Sequence, residues 1–188
     1  YSTPSYTLPA TELQEERTLT STNYLISSAI TDEYLDSRVI GGKTGFTTPA
    51  GRCVACVADD GSGYRYLAVV LGAGGTDANG NTVYNSFRSA SALFDFGFDH
   101  FTEQEVLTAE THLPPIAVTN GDVPLECDTT EGLYCLMPLD FDPEEIRLEP
   151  ESPEAWTAPI ESGSEMGEAK VYYGDALLGR IPIVAAND

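Results

Sequence analysis

Two consecutive runs, residues 53–58 and 64–73, are apolar on both faces, and no fold that leaves them bare on one side can satisfy them. In the second run one face carries Tyr66, Ala68 and Val70, and the other carries Leu67, Val69 and Leu71. Successive side chains of a strand point to opposite faces, so a sheet made of such strands must be covered twice. Asp59-Asp60-Gly61-Ser62-Gly63 lies between the runs and has the composition of a tight turn, which predicts an antiparallel hairpin. Val83, Phe87, Ala90, Phe94 and Phe98 recur at helical spacing. That pattern predicts an amphipathic helix over 82–98, which covers one face. Nothing else in the chain is both helical and apolar. The second face is expected to need a cover from elsewhere, and self-association through it is one expectation.

The rest of the chain divides by texture. Residues 1–20 are rich in Pro and Thr and read as an extended segment or loop. A short apolar stretch follows at 22–28, then a polar turn or short helix at 32–37, and a strand at 39–44. After about residue 103 come short alternating runs separated by Gly and Pro, at 106–109, 116–118, 123–126, 133–137, 146–149, 169–173 and 177–184. Short strands at this spacing indicate a small all-β sandwich. The acidic run 140–154 reads as a solvated, Pro-punctuated loop. Two domains are expected, 1–101 and 102–188. Tyr1-Ser2-Thr3-Pro4 reads as mid-chain sequence, and no signal peptide is visible.

Charge excludes one class of partner. The chain of 188 residues carries 9 basic and 30 acidic side chains, net −21. Residues 102–188 hold 19 of the acidic and 3 of the basic groups, net −16. Such a surface repels phosphate backbones, so nucleic acid is not expected as a partner. Cys53 and Cys56 lie three apart in one strand and point to opposite faces, so they read as free thiols. A metal reading lacks further soft ligands nearby. Cys127 and Cys135 flank a seven-residue stretch, a spacing that fits facing positions on a hairpin, where a disulfide can form.

The segment Gly41-Gly42-Lys43-Thr44-Gly45-Phe46-Thr47 carries the chemistry. By itself Lys-Thr-Gly is a common tripeptide that can simply end a strand. Its company is more specific: Asn23-Tyr24-Leu25 before it, Ala50-Gly51-Arg52-Cys53 after it, then Val69-Val70-Leu71-Gly72-Ala73 and Leu93-Phe94-Asp95-Phe96-Gly97-Phe98. Ala158-Pro159-Ile160, Gly163, Gly167 and Pro182-Ile183-Val184-Ala185 follow late in the chain. Together these resemble the serine D-alanyl-D-alanine carboxypeptidases, the low-molecular-mass penicillin-binding proteins, over the C-terminal part of the catalytic domain and the appended β domain.

The resemblance implies a mixed fold, a partial α/β penicillin-binding (β-lactamase-like) domain with an antiparallel sheet and terminal helix, followed by a small β sandwich. It implies acyl transfer to a serine from the D-Ala-D-Ala end of a peptidoglycan stem peptide or from a β-lactam. Lys43 would supply positive charge where the substrate carboxylate docks, and Thr44 would hydrogen-bond that carboxylate. Gly45 would let backbones approach, the Phe46 N–H would donate to the oxyanion, and Thr47 would line the entrance. The family places an arginine near the start of its last helix. The matching position here is Ser86, and Arg88 two residues on is the candidate. No metal or organic cofactor is implied, and the location is extracytoplasmic in a bacterium. Membrane attachment would come only through a segment not among these residues.

The same family needs a Ser-x-x-K nucleophile. The two lysines, Lys43 and Lys170, are preceded at that spacing by Ile40 and Gly167, so the chain has none. Ser21-Thr22-Asn23 is a literal Ser-x-Asn, but it stands too near the Lys-Thr-Gly and fits the Asn-x-Leu segment instead. Two other readings remain open: a β-lactamase relative, against which the trailing β domain argues, and a non-catalytic binding or scaffold module at the envelope.

Overall fold

The computed structural model describes residues 2–61, 63–151 and 156–188. They form two compact units, Tyr1–His100 and Phe101–Asp188. In the first unit the hairpin strands are β1 (Ser5–Leu8) and β2 (Arg17–Thr20), paired antiparallel with Ser5 opposite Thr20 and Leu8 opposite Arg17. The segment expected as loop or extended chain is therefore a small ribbon. Almost all of its side chains are exposed, which is why it carries no periodic apolar signal.

The sheet of this unit has the order β3-β4-β5, with β3 at Val39–Thr47, β4 at Gly51–Asp59 and β5 at Arg65–Ala73. Both pairings are antiparallel. At the β4–β5 turn the Gly61 N–H donates to Asp59 Oδ1 at 2.9 Å, and Arg65 Nε donates to Asp59 Oδ2 at 3.0 Å. Ser62, within that turn, lies outside the described residues. Helix α1 (Asn85–His100) buries Phe87, Ala90 and Phe94 against Val54, Cys56, Ala58 and Ala68. Burying each of the larger ones, Phe87, Phe94 and Val54, contributes about 1.5–3 kcal/mol relative to exposure. The other face of β5 is open: Leu67 is 68% exposed, Val69 52% and Leu71 75%.

Residues ahead of β3 pack under α1, with Leu25 and Tyr34 buried in the same core. Arg38 fastens this segment. Its guanidinium donates to Asp36 Oδ1 and Oδ2 at 2.9 and 2.8 Å, and to Asp95 Oδ1 on α1 at 2.7 Å.

Among its described residues the second unit's regular structure is strands and one 3-10 turn, joined by loops. Its four-stranded antiparallel sheet has the order β7-β11-β10-β9 and its two-stranded sheet pairs β6 with β8. The strands are β6 (Phe101–Leu107), β7 (Cys127–Thr129), β8 (Leu133–Pro138), β9 (Ile146–Glu151), β10 (Glu165–Tyr173) and β11 (Ala176–Ala185). Leu107 from the small sheet shares one core with Val171, Ile181 and Ile183 from the large one, and Leu133 packs against it.

Three expectations are corrected here. Cys127 and Cys135 do not face each other on a hairpin: β7 pairs with β11 and β8 with β6, so the two thiols sit in different sheets, and both are free. The acidic run contains a 3-10 turn at Pro143–Glu145 and then β9, whose Ile146 and Leu148 pack on the core while the residues between them face water. Residues 152–154 of that run lie outside the described residues. Segments 116–118 and 123–126 make only one bridge, Ile116 to Leu125, rather than two strands.

Candidate functional site

β3 is an edge strand. β4 takes one side, and among the described residues no strand pairs with the other. Backbone donors and acceptors along that edge are open to an extended partner. The register divides the Lys-Thr-Gly segment between two faces. Thr44 and Phe46 stand opposite Val54 and Arg52, on the face that α1 covers; Lys43 and Gly45 stand opposite Ala55 and Cys53, on the open face.

A cavity of about 340 Å³ lies at the end of the covered face, lined by Thr22, Tyr24, Thr44, Gly45, Phe46, Arg52, Cys53, Tyr84, Ser86 and Phe87. The Thr44 and Thr22 hydroxyls are 2.6 Å apart. Tyr24 and Tyr84 meet edge to face, ring centres 4.9 Å apart. Burial pushes the Tyr24 hydroxyl above its ordinary pKa, its hydrogen bond with Tyr84 adds to that, and the charge of Arg52 acts in the opposite sense. Arg52 enters from the start of β4. Its guanidinium carbon lies 4.2 Å from the Tyr84 ring centre and 5.3 Å from that of Phe46.

Lys43 occupies a different surface. Its ammonium donates to the Thr44 carbonyl, and it lines a shallow cavity of about 530 Å³ with Ile40, Gly42, Ala55, Val57 and Arg65. Phe46 is 64% exposed. Thr47 Oγ1 accepts from the Ala50 N–H at 3.2 Å and so shapes the turn into β4. Arg88 is engaged elsewhere: it pairs with Glu33, stacks over Tyr34 at 5.7 Å, and lines a separate cavity with Asp36, Arg38 and Asp95. The structure thus gathers Thr44, Gly45 and Phe46 in one cavity, sets Lys43 on the opposite face of the same strand, and holds Arg88 against Glu33. Arg52 joins the cavity without having been singled out in the sequence. One signal was there: in the alternation Arg52, Val54, Cys56, Ala58, a cation heads an otherwise buried face.

A larger cavity, about 740 Å³, lies in the second unit, and its polar lining includes Asp122, Glu161, Ser162 and Asp188. Among the described residues no cationic side chain lines it.

No family model matches the chain. It is 25% identical over 151 residues to D-alanyl-D-alanine carboxypeptidase DacF of Bacillus subtilis (strain 168), covering 80% of this chain and 37% of that protein. Its fold is similar to that of the D-alanyl-D-alanine carboxypeptidase DacD from Francisella tularensis, at TM-score 0.55 and 20% identity, covering 93% of this chain and 40% of that one. Penicillin binding protein 5 from Haemophilus influenzae gives TM-score 0.52 at 20% identity, over 100% of this chain and 49% of that one. A peptidoglycan synthesis regulatory factor (PBP3) from Streptococcus pneumoniae gives 0.52 at 22% identity, over 99% and 50%. The chain spans 37% of the curated relative and 40–50% of the solved ones. Over that span it is similar to the C-terminal part of D-alanyl-D-alanine carboxypeptidases, with a partial penicillin-binding fold followed by a β domain.

Proposed function

We propose that this chain supplies the substrate-binding edge of a serine-type D-alanyl-D-alanine carboxypeptidase that acts on peptidoglycan stem peptides outside the bacterial cytoplasm. The observation that carries the reading is the unpaired edge of β3 running past the Thr44 cavity. An extended peptide adds to such an edge through main-chain hydrogen bonds. Its terminal carboxylate then reaches the Thr44 hydroxyl, while Lys43 adds positive charge along the approach. The Phe46 N–H donates to the oxyanion as the scissile carbonyl is attacked, and Thr47 borders the entrance. A serine outside these 188 residues forms the acyl-enzyme, because the chain contains no Ser-x-x-K. β-Lactams enter the same site as acyl donors. The open face of β5 belongs to this reading, and the isolated chain self-associates through it.

A fluorescent penicillin and intact-mass measurement test the reading. The 188-residue chain alone is expected to form no covalent adduct. A longer protein that contains this chain and a Ser-x-x-K is expected to acylate, and Lys43→Ala to slow that step by about 10²–10³, the scale of one preorganised electrostatic contact. A stoichiometric serine adduct on the chain alone, or acylation indifferent to Lys43, overturns it.

A further inference from the structure

Residues 102–188 carry 19 acidic and 3 basic side chains, and all three cations are engaged in one place. Arg147 pairs with Glu149, while Glu151 takes both Lys170 at 2.8 Å and Arg180 at 2.9 Å. On β9 these groups alternate with Ile146 and Leu148, which pack on the core, so the network stands on the outer face of the sheet. His112 lies against Asp128. The cavity of about 740 Å³ is lined by Asp122, Glu161 and Asp188, and among the described residues none of the three forms an ion pair. No cation of the unit is left to neutralise them.

The cavity is apolar as well as acidic. Val118 and Ile160 rest on the core of the unit, and Val123, also in the lining, is 63% exposed. Hydrogen bonds tie the walls together. The Thr119 N–H donates to the Trp156 carbonyl at 2.8 Å, and the Ala158 N–H donates to the Thr119 carbonyl at 3.0 Å. The Asn187 side chain accepts from the Glu126 N–H at 2.8 Å and donates to the Pro124 carbonyl at 3.1 Å. The groove is thus preformed, and its volume falls within the range of about 300–1,000 Å³ typical of ligand clefts. Anions are repelled from such a surface. Among the described residues no three His, Cys, Asp or Glu side chains converge closely enough to hold a metal ion. The carboxylates are instead spread over apolar walls. A Lys or Arg side chain matches both features, because its stem packs on apolar surface while its charged head reaches a carboxylate.

We propose that this cavity of the second unit is a docking groove for a segment of another protein in which Lys or Arg stands beside an apolar side chain. Charge complementarity selects that occupant: the walls take its apolar side chain, and Asp122 and Glu161 take its cations. The assignment is independent of the reading of β3 as a substrate edge and gives the second unit a protein-binding role of its own.

The test follows the Val123 methyl and Ala158 amide resonances of the 188-residue chain by NMR. The probes are acetyl-Leu-Lys-Leu-Lys-Leu-amide, the same peptide with Glu in place of Lys, and the same peptide with Ser in place of Leu. Titration to about 10 mM captures millimolar affinities. The first peptide is expected to move both resonances and the Glu peptide neither. The Ser peptide is expected to bind about tenfold more weakly, the scale of one buried apolar side chain. Asp122→Asn with Glu161→Gln is expected to weaken binding of the first peptide by up to about fivefold per carboxylate, the upper range for exposed ion pairs. Glu131→Gln with Glu144→Gln removes the same charge outside the cavity and is expected to leave binding unchanged. All four side chains are exposed, so circular dichroism is expected to match the unmutated chain in both variants. Still resonances with the first peptide, or equal weakening by the two double variants, overturns the proposal. Equal binding of the Ser and Leu peptides would reduce the effect to general attraction between a basic peptide and an acidic chain, and overturns it too. Shifts at Val123 that follow protein concentration without peptide would make the occupant a second copy of the chain and overturn the assignment of a basic partner.

Discussion

Gly42 and Gly45 stand three residues apart on β3 and meet opposite surroundings. A methyl group on Gly42 would lie 2.7 Å from both the Ala55 carbonyl oxygen and Cys56 Cβ, whereas one on Gly45 would meet only Cys53 Cβ at 3.9 Å. Backbone at 2.7 Å cannot step aside without shifting the β3–β4 pairing. Gly42→Ala is therefore expected to destabilise the first unit by about 1–3 kcal/mol, the cost of overpacking. Gly45→Ala is expected to stay within about 0.5 kcal/mol, as surface changes do. Urea denaturation of the two variants checks this, and a larger loss for Gly45→Ala would reverse the assignment of the packed side. Of the site residues, Thr44, Gly45 and Phe46 were legible because a short motif names them. Arg52 was not, since its partners come from three places: Phe46 across a tight turn, Tyr84 beyond β5, and Gly75 in the loop between. Arg88 drew notice by its position on the helix, yet Glu33, distant in sequence, holds it.

Among the elements, the segment before β3 is held by charge as well as by packing. The Asp36 side chain is only 7% exposed and faces Arg38. The hydrogen bonds from Arg38 hold the Asp36 carboxyl below its ordinary pKa; burial opposes this and a bond from Ser91 adds to it. A carboxyl depressed in the folded state binds its proton more readily when unfolded. Its contribution is complete above the unfolded value of about 3.9 and is lost as pH falls through the folded one. Asp36→Asn is expected to cost about 1–3 kcal/mol at neutral pH, as for a broken hydrogen bond to a charged group. The gap between variant and unmutated chain should close on acidification below about pH 4. A gap constant with pH in urea titrations would show that packing alone explains the loss. β4, β5 and α1 were legible because burial gives them periods of two and of about 3.6. The β1–β2 ribbon was not, because it buries too little to leave a pattern. The partners of Cys127 and Cys135 escaped notice for another reason: Cys127 pairs with Ala185 in β11 and Cys135 with Gln104 in β6, and hairpin spacing cannot reveal such distant pairings.

At the scale of the whole molecule, the bare face of β5 is the largest feature left without a cover in the first unit's sheet. Leu67, Val69 and Leu71 stand side by side there, each more than half exposed. Covering them contributes about 1.5–3 kcal/mol apiece, and a contiguous patch of this kind attracts a partner. The isolated chain is expected to self-associate as concentration rises, and Leu67→Lys with Leu71→Lys to reduce this while the circular dichroism stays unchanged. Light scattering decides. A monodisperse monomer that binds no hydrophobic dye would show the face to be inert.

The free edge of β3 has a further cost. A row of unpaired N–H and C=O groups that can receive a peptide can equally receive a strand of another molecule, and stacking by that route leads to fibrils. Many proteins blunt such an edge with proline or a bulge; β3 has no proline, and its one irregularity, between Val39 and Gly41, lies at its start. Along the nine residues of β3 only Lys43 is charged, midway and on the exposed side. A lone charge there opposes pairing by that route, so Lys43→Ala is expected to raise thioflavin binding in concentrated solutions of the chain, and an unchanged signal would show the edge to be protected otherwise.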